Sequence, residues 1–309
     1  MTVLINSVCG EIPNASLGTT YIHEHLYVYP SEQLKYYDYT IDDIDKATAE
    51  AISFKNAGGD TLVDLTPINY GRSPMLLKKI AQAANINVLC ITGFHKEEFQ
   101  PKWLSEMGDK DVYDLLVHEI SDGIGFDKIK PAAMKLGTSY NIVTESEKRI
   151  IDIEGNVQRD TNIPIVTHCD HGTMGIEQLQ GLKDAGADLT HVCLSHVDLA
   201  EDVDYIERIV DMGASVSFDH IGRHLADHDA LRVKMLTRLV REGYGDHICL
   251  AGDMGRKKYY LSYGGKPGLK YILSDFKDEL APQIGNEAYE KMVTTNPQRI
   301  LIPKPHGVA

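Results

Sequence analysis

The chain has 309 residues, 43% of them hydrophobic, and 31 Lys and Arg against 45 Asp and Glu give a formal charge of −14. That length suits one α/β barrel forming a single domain, and the acid excess, with no basic stripe able to track a phosphate backbone, argues against nucleic acid as a partner. The opening MTVLINSVCGEIPNASLG lacks the charged and apolar regions of a secretory signal, and no stretch approaches the roughly 20 apolar residues of a membrane span, so a soluble cytoplasmic protein with no membrane partner is expected.

Short apolar or β-branched runs alternate with amphipathic stretches of helical length, which predicts eight parallel strands closing into a (β/α)8 barrel. The first strand, Thr19–His25, ends in His23-Glu24-His25. A two-residue period places both imidazoles on one face and Glu24 on the other, as a shared ion needs, although a solvated strand shows the same alternation. Helix Asp42–Asn56, strand Thr61–Thr66 and helix Pro74–Ala84 follow, then a third strand, Asn87–Gly93, with His95 and Lys96 just beyond it. The fourth strand, Ala133–Gly137, carries Lys135 inside an apolar run. An ammonium is costly to bury there, so Lys135 either reaches outward to the helix layer or is a neutral amine able to take up CO2 as a carbamate, an anionic ligand that can bridge two cations.

Helix Thr144–Thr161 starts with a capping box, Thr144 with Glu147. Strand five, Pro164–His168, and strand six, Val192–His196, are apolar runs that each end in a histidine, and helices Gly175–Ala185 and Ala200–Met212 follow them. A single buried histidine is more often a hydrogen-bonded core residue than a ligand. Two at matching strand ends, beside a His-x-His, favour a shared metal. Strand seven, Ser215–Asp219, leads to His220 and Arg223, helix Ala230–Glu242 follows, and strand eight, Ile248–Asp253, ends in an aspartate. The loop beyond it holds Arg256, Lys257, Lys258, Tyr259 and Tyr260. It should overhang the mouth of the barrel, where loops after strands seven and eight frequently bind phosphate. From Lys266 the tail holds one or two helices and ends in Pro303, Pro305 and Gly307. Five cysteines (Cys9, Cys90, Cys169, Cys193 and Cys249), an odd number with no CxxC pair, read as reduced, buried, small hydrophobes.

The segments GTTYIHEHLYV, IKPAAMKLGTSYNIVTESEKR, IPIVTHCDHG, HVCLSHVDLAEDVDYIERIVDMGASVSFD and TTNPQRIL, in this order over nearly the whole chain, resemble the phosphotriesterase family of the amidohydrolase superfamily. The resemblance implies two divalent ions: one on His23, His25 and Asp253, the other on His168 and His196, bridged by a carbamate on Lys135 and by hydroxide. Zinc suits such nitrogen and oxygen ligation, as do manganese, cobalt and iron. It also implies a hydrolase in which the hydroxide attacks an ester carbonyl while Asp253 moves the proton, with Asp198 and His220 as secondary relays. Two departures stand out: Ala251-Gly252 precede Asp253, and Leu199 occupies a position where phosphotriesterases place an aspartate used in proton removal. A lactonase is therefore expected before a phosphotriesterase, a phosphodiesterase or an acyl-homoserine lactonase. A metal-binding protein without catalysis is the rival from another class. The basic loop, with His95, Lys96 and Arg223, points to a small anionic substrate, a sugar 1,4-lactone carrying a phosphate held by Arg256, Tyr259, Lys257 or Lys258 with Tyr260 nearby. Monomer and homodimer both remain open.

Overall fold

An antiparallel hairpin outside the eight expected strands opens the chain: β1 (Leu4–Ser7) and β2 (Gly10–Pro13). The computed structural model describes residues 2–30, 35–223 and 226–303, so Pro305 and Gly307 lie outside the described residues. The hairpin is followed by β3 (Thr20–Glu24), α1 (Ile44–Asn56), β4 (Thr61–Asp64), α2 (Pro74–Ala84), β5 (Asn87–Leu89), β6 (Ile91–Gly93) and α3 (Asp109–Asp122). Next come β7 (Ala133–Lys135), β8 (Gly137–Thr138), α4 (Glu145–Thr161), β9 (Ile165–Val166), β10 (His168–Cys169), α5 (Gly175–Asp184), β11 (Val192–Ser195) and α6 (Val203–Asp211). The chain then runs through β12 (Ser215–Phe218), α7 (Ala226–Arg241), β13 (Ile248–Leu250), α8 (Asp275–Ile284), α9 (Asn286–Val293) and α10 (Thr295–Leu301).

All strands after the hairpin pair in parallel, in the order β3, β4, β5 and then β6, β7, β9, β11, β12, β13, with only Cys90 between β5 and β6. The ring closes where Asp253 N donates to His23 O at 3.0 Å. At the same seam the Glu24 carboxylate accepts from Gly252 N at 2.6 Å and from Met254 N at 2.9 Å. These are the eight strand positions of a TIM barrel. Three expected strands are interrupted: at Cys90, at Leu136 and at Thr167. The last two breaks lie beside Lys135 and His168, and beyond them β8 and β10 pair with each other.

The helix ends follow from local chemistry. Thr144 and Glu147 form the expected capping box of α4, while Asp43 and Asp202 accept from Lys46 N and Tyr205 N at the starts of α1 and α6. Helix α3 was not among the expected elements, α7 begins four residues earlier than expected, at Ala226, and the tail holds three helices instead of one or two. The strict alternation expected of His23-Glu24-His25 does not extend back along the strand, because the register against β4 shifts between Tyr21 and Glu24.

Two apolar layers hold the barrel. A large cluster between strands and helices includes Tyr21 against Phe54, 4.7 Å between ring centroids. A smaller one takes Ile22, Val63, Ile91, Val166, Cys193 and Cys249 from successive strands and is sealed by Ile300 and Leu301 of α10. The barrel is thus filled at its lower end, and only the C-terminal mouth is left for chemistry. Four cysteines are buried as expected; Cys9, in the turn of the hairpin, is exposed, because that turn lies outside the barrel.

Candidate metal centre

Five strands deliver His23, His25, Lys135, His168, His196 and Asp253 to one end of the barrel. Each of three imidazoles is held from behind through its Nδ1. Nδ1 of His23 lies 2.8 Å from Asp219 Oδ2 and 3.0 Å from Ser195 Oγ. His196 turns its Nδ1 to the other oxygen of Asp219, also at 2.8 Å, and Nδ1 of His25 is 2.8 Å from Thr66 Oγ1. With the outer nitrogens taken, the Nε2 atoms of all three face inward onto Asp253. Asp253 Oδ1 stands 3.1 Å from His25 Nε2 and 3.4 Å from His23 Nε2, and Oδ2 is 4.0 Å from His196 Nε2. Lys135 Nζ lies 3.3 Å from His23 Nε2. His196 and Asp253 adopt left-handed backbone, with φ of 69° and 44°, which non-glycine residues rarely do outside functional sites.

Burial and charge then set protonation. Burial, reinforced by Lys135, pushes His23 down to about 3, and burial does the same to His168. Burial lowers Lys135 to about 8. Burial works against the ionised forms of Asp219 and Asp253, yet His196 and His23 around the first, and Arg223 with His23 around the second, hold both carboxyls well below the usual range. His23 and His168 are therefore neutral and Asp219 and Asp253 ionised, the forms that ligate cations, whereas for His196 the Asp219 carboxylate outweighs burial and raises the imidazole above its ordinary value. Nε2 of His168 is buried without a hydrogen-bond partner among the described residues, 3.7 Å from Asp170 Oδ1. His23, His25 and Asp253 bring their ligand atoms within 4.8 Å of one another. Inward lone pairs, locked outer nitrogens and an orphaned imidazole nitrogen fit a divalent metal centre.

The cluster forms the floor of a cavity of about 420 Å³. Of the candidate substrate contacts, His95, Lys96, Arg223, Arg256, Lys258 and Tyr259 line it, and so does His220, whose Nε2 is 3.4 Å from Asp253 Oδ2. Lys257 and Tyr260 do not. Lys257 pairs with Asp42 at 3.2 Å, and Tyr260 is fully buried with its hydroxyl donating to His25 O, so it braces the ligand strand from outside the cavity. Lys96 is committed to Asp170 at 2.7 Å. Asp198 is also engaged elsewhere: it accepts from Arg232 Nε at 2.7 Å and is not on the cavity wall. Arg223 donates to Asp253, and its guanidinium lies 4.8 Å over the ring of Tyr259. Arg256 donates to Asp38 at 2.9 Å and to the hydroxyl of Tyr39. The sequence reading missed Asp219, Thr66, Asp38, Tyr39 and Tyr70. Asp219 ends a buried strand just as His168 and His196 do, and that was its only available signal.

Comparison with known proteins turns this geometry into an assignment. The phosphotriesterase family model matches residues 3–301. The chain belongs to the phosphotriesterase family. A phospho-furanose lactonase of Mycoplasmopsis synoviae is 30% identical and is aligned over 96% of this chain and 90% of its own length. Among solved structures, a lactonase from Listeria monocytogenes superposes with a TM-score of 0.91 at 29% identity, covering 98% of this chain and all of that one. The phosphotriesterase homology protein of Escherichia coli, solved with phosphate in its active site, gives 0.88 at 28% identity over 93% of this chain and 99% of that one. As a phosphotriesterase-family member the chain is a metal-dependent hydrolase, and its His and Asp groups supply the metal-binding chemistry of that family. Among the described residues no helix is long and apolar enough to cross a membrane.

Proposed function

We propose that the protein hydrolyses a small sugar 1,4-lactone carrying a terminal phosphate, in a single barrel domain acting in the cytoplasm. In this reading His23, His25 and Asp253 hold one divalent ion, zinc by preference, His168 and His196 hold a second, and Lys135 bridges them as a carbamate. When bound, the two ions supply a water acidic enough to act as nucleophile at neutral pH and a Lewis acid for the carbonyl.

The chain's own residues do the rest. Asp253 receives the proton of the attacking water and passes it to the alkoxide released as the ring ester bond breaks, giving the hydroxy acid. Thr66, Ser195 and Asp219 keep the imidazoles aimed. Leu199 lines the cavity, and His220 Nε2 lies 3.4 Å from Asp253 Oδ2, within reach of a proton leaving Asp253.

One observation carries the choice of substrate: Arg223, Arg256 and Lys258 place three cationic side chains on the cavity wall. Positive charge gathered beside a hydrolytic centre suits a dianionic oxygen cluster, and the hydroxyl-bearing Tyr259 stands on the same wall. The Mycoplasmopsis relative, a phospho-furanose lactonase, agrees with that chemistry.

The test compares kcat/KM for a phosphorylated sugar lactone and its unphosphorylated twin, with a long-chain acyl lactone and an aryl phosphotriester as further arms. The phosphate should raise kcat/KM roughly 10- to 100-fold, and Arg256→Met should erase most of that preference. Equal values for the twins, or preference for either further arm, would reject the phosphate assignment.

A further inference from the structure

His95 is nearly buried on the cavity wall, and its two ring nitrogens are in different situations. The backbone N–H of Lys96 donates to Nδ1 at 2.8 Å. A nitrogen that accepts a hydrogen bond carries no proton, so the ring is neutral and its single proton sits on Nε2. That Nε2–H finds no hydrogen-bond partner among the described residues. The ring is wedged between Phe99, at 4.7 Å between centroids, and His168, at 4.4 Å, with Tyr70 at 5.4 Å.

The geometry that fixes this tautomer is itself defended. A Cβ at Gly137 would come within 2.7 Å of Lys96 N and 3.3 Å of His168 Cβ. Only glycine at that position lets the Lys96 amide stay where it can donate to Nδ1. The other donors close to the ligand cluster are committed, Lys96 to Asp170 and Arg223 to Asp253. One fixed, neutral, unshared N–H therefore stands next to the reacting centre.

We infer that His95 Nε2–H hydrogen-bonds the ring oxygen of the substrate as the ester C–O bond breaks. In the overall step water adds across that bond: a new C–O bond forms at the carbonyl carbon, the ring C–O bond breaks, and one proton of the water ends on the released alkoxide. His95 lends a hydrogen bond to the developing negative charge and keeps its own proton. A donor preorganised for charge that appears only in the transition state acts on kcat more than on substrate affinity. The inference rests on the ester hydrolysis assigned above but not on the phosphate.

The experiment measures log kcat/KM against leaving-group pKa for a series of carboxylic esters running from nitrophenyl to alkyl. His95→Phe and Tyr70→Phe are compared with wild type, metal content being checked in each. His95→Phe should lose roughly 100-fold on alkyl esters and only a few-fold on nitrophenyl esters, so its plot is steeper, and His95→Gln, which keeps an N–H, should recover part of the loss. Parallel plots for His95→Phe and wild type overturn the assignment, as does a steepening that appears in Tyr70→Phe instead. If the phosphate preference vanishes while the steepening persists, the substrate assignment fails and His95 keeps its role. Parallel plots with the preference intact show the reverse.

Discussion

Asp219 holds His23 through a 2.8 Å contact between its Oδ2 and the imidazole Nδ1. Its second oxygen does the same for His196, so one carboxylate orients imidazoles assigned to two different ions. An amide has only one oxygen that can accept. Asp219→Asn should therefore release one ring and weaken metal binding about 10- to 100-fold while leaving the fold intact. Titration with a chelator, read by circular dichroism and metal analysis together, checks this. Unchanged affinity would reduce Asp219 to a packing residue.

Lys135 gives a pH dependence. A carbamate forms only from the neutral amine, and burial brings this lysine to about 8, where an exposed lysine would still be an ammonium. Raising the pH from 6 through 8 should therefore speed reconstitution of the apoprotein by metal and bicarbonate, with a plateau above 8. Lys135→Ala should lose bound metal, and a short carboxylate such as acetate should restore part of it. A pH-independent rate with no carbon-13 uptake from labelled bicarbonate would rule the carbamate out.

Lys96 should not behave as a substrate contact. Its ammonium is held 2.7 Å from Asp170, whose other oxygen lies 3.7 Å from His168 Nε2. Lys96→Met should lower the occupancy of one of the two ions while changing KM for a phosphorylated substrate by less than about threefold, since no direct contact is lost. A large rise in KM at full metal content would return Lys96 to the substrate.

Glu154 offers a stability test away from the reaction. Oε1 accepts from Phe94 N at 3.2 Å, Oε2 is buried without a partner among the described residues, and burial raises the carboxyl well above its ordinary range. The folded state therefore keeps a proton that the unfolded chain gives up above about pH 4.3. That makes the contribution favourable at low pH and progressively lost as pH rises toward the folded value. Glu154→Gln does not titrate and can still accept from Phe94 N. Its stability relative to wild type should improve between pH 5 and pH 8 in urea denaturation at equal metal loading. A constant difference would mean that the carboxyl ionises normally.

The gathering of His23, His25, His168, His196 and Asp253 was legible because each stands at the end of an apolar run, with Lys135 inside one, and a barrel brings strand ends together whatever their separation in sequence. His23 and Asp253 are neighbours for that reason. Partnerships between loops were not legible. Nothing in the sequence pairs Arg256 with Asp38, 218 positions away, or Lys257 with Asp42, so the basic loop read as a row of free cations although the structure ties Arg256, Lys257 and Lys258 to the loop after strand one. Tyr260 was read as a substrate contact from its nearness to Tyr259, but the 3-10 turn over Lys257–Tyr259 sends the two rings to opposite sides of the cavity wall. The broken strands were read as continuous because Leu136 and Thr167 are good strand residues; what interrupts the ladder is the change of partner there, a tertiary event.

The Glu24 carboxylate, straddling the amides of Gly252 and Met254, ties the first barrel strand to the last across 230 positions of chain. A growing polypeptide that has not reached Gly252 lacks both donors, and in it Glu24 has neither closing contact to make. The same absent stretch includes Asp253. Synthesis can thus fold most of the wall early, as domains do while they emerge, but the ring cannot close until the chain has passed Met254. Products truncated before this point are left with an open edge at this seam, which exposes them to chaperones and proteases, while a chain that extends past Met254 hides that edge in the same movement that assembles its chemistry.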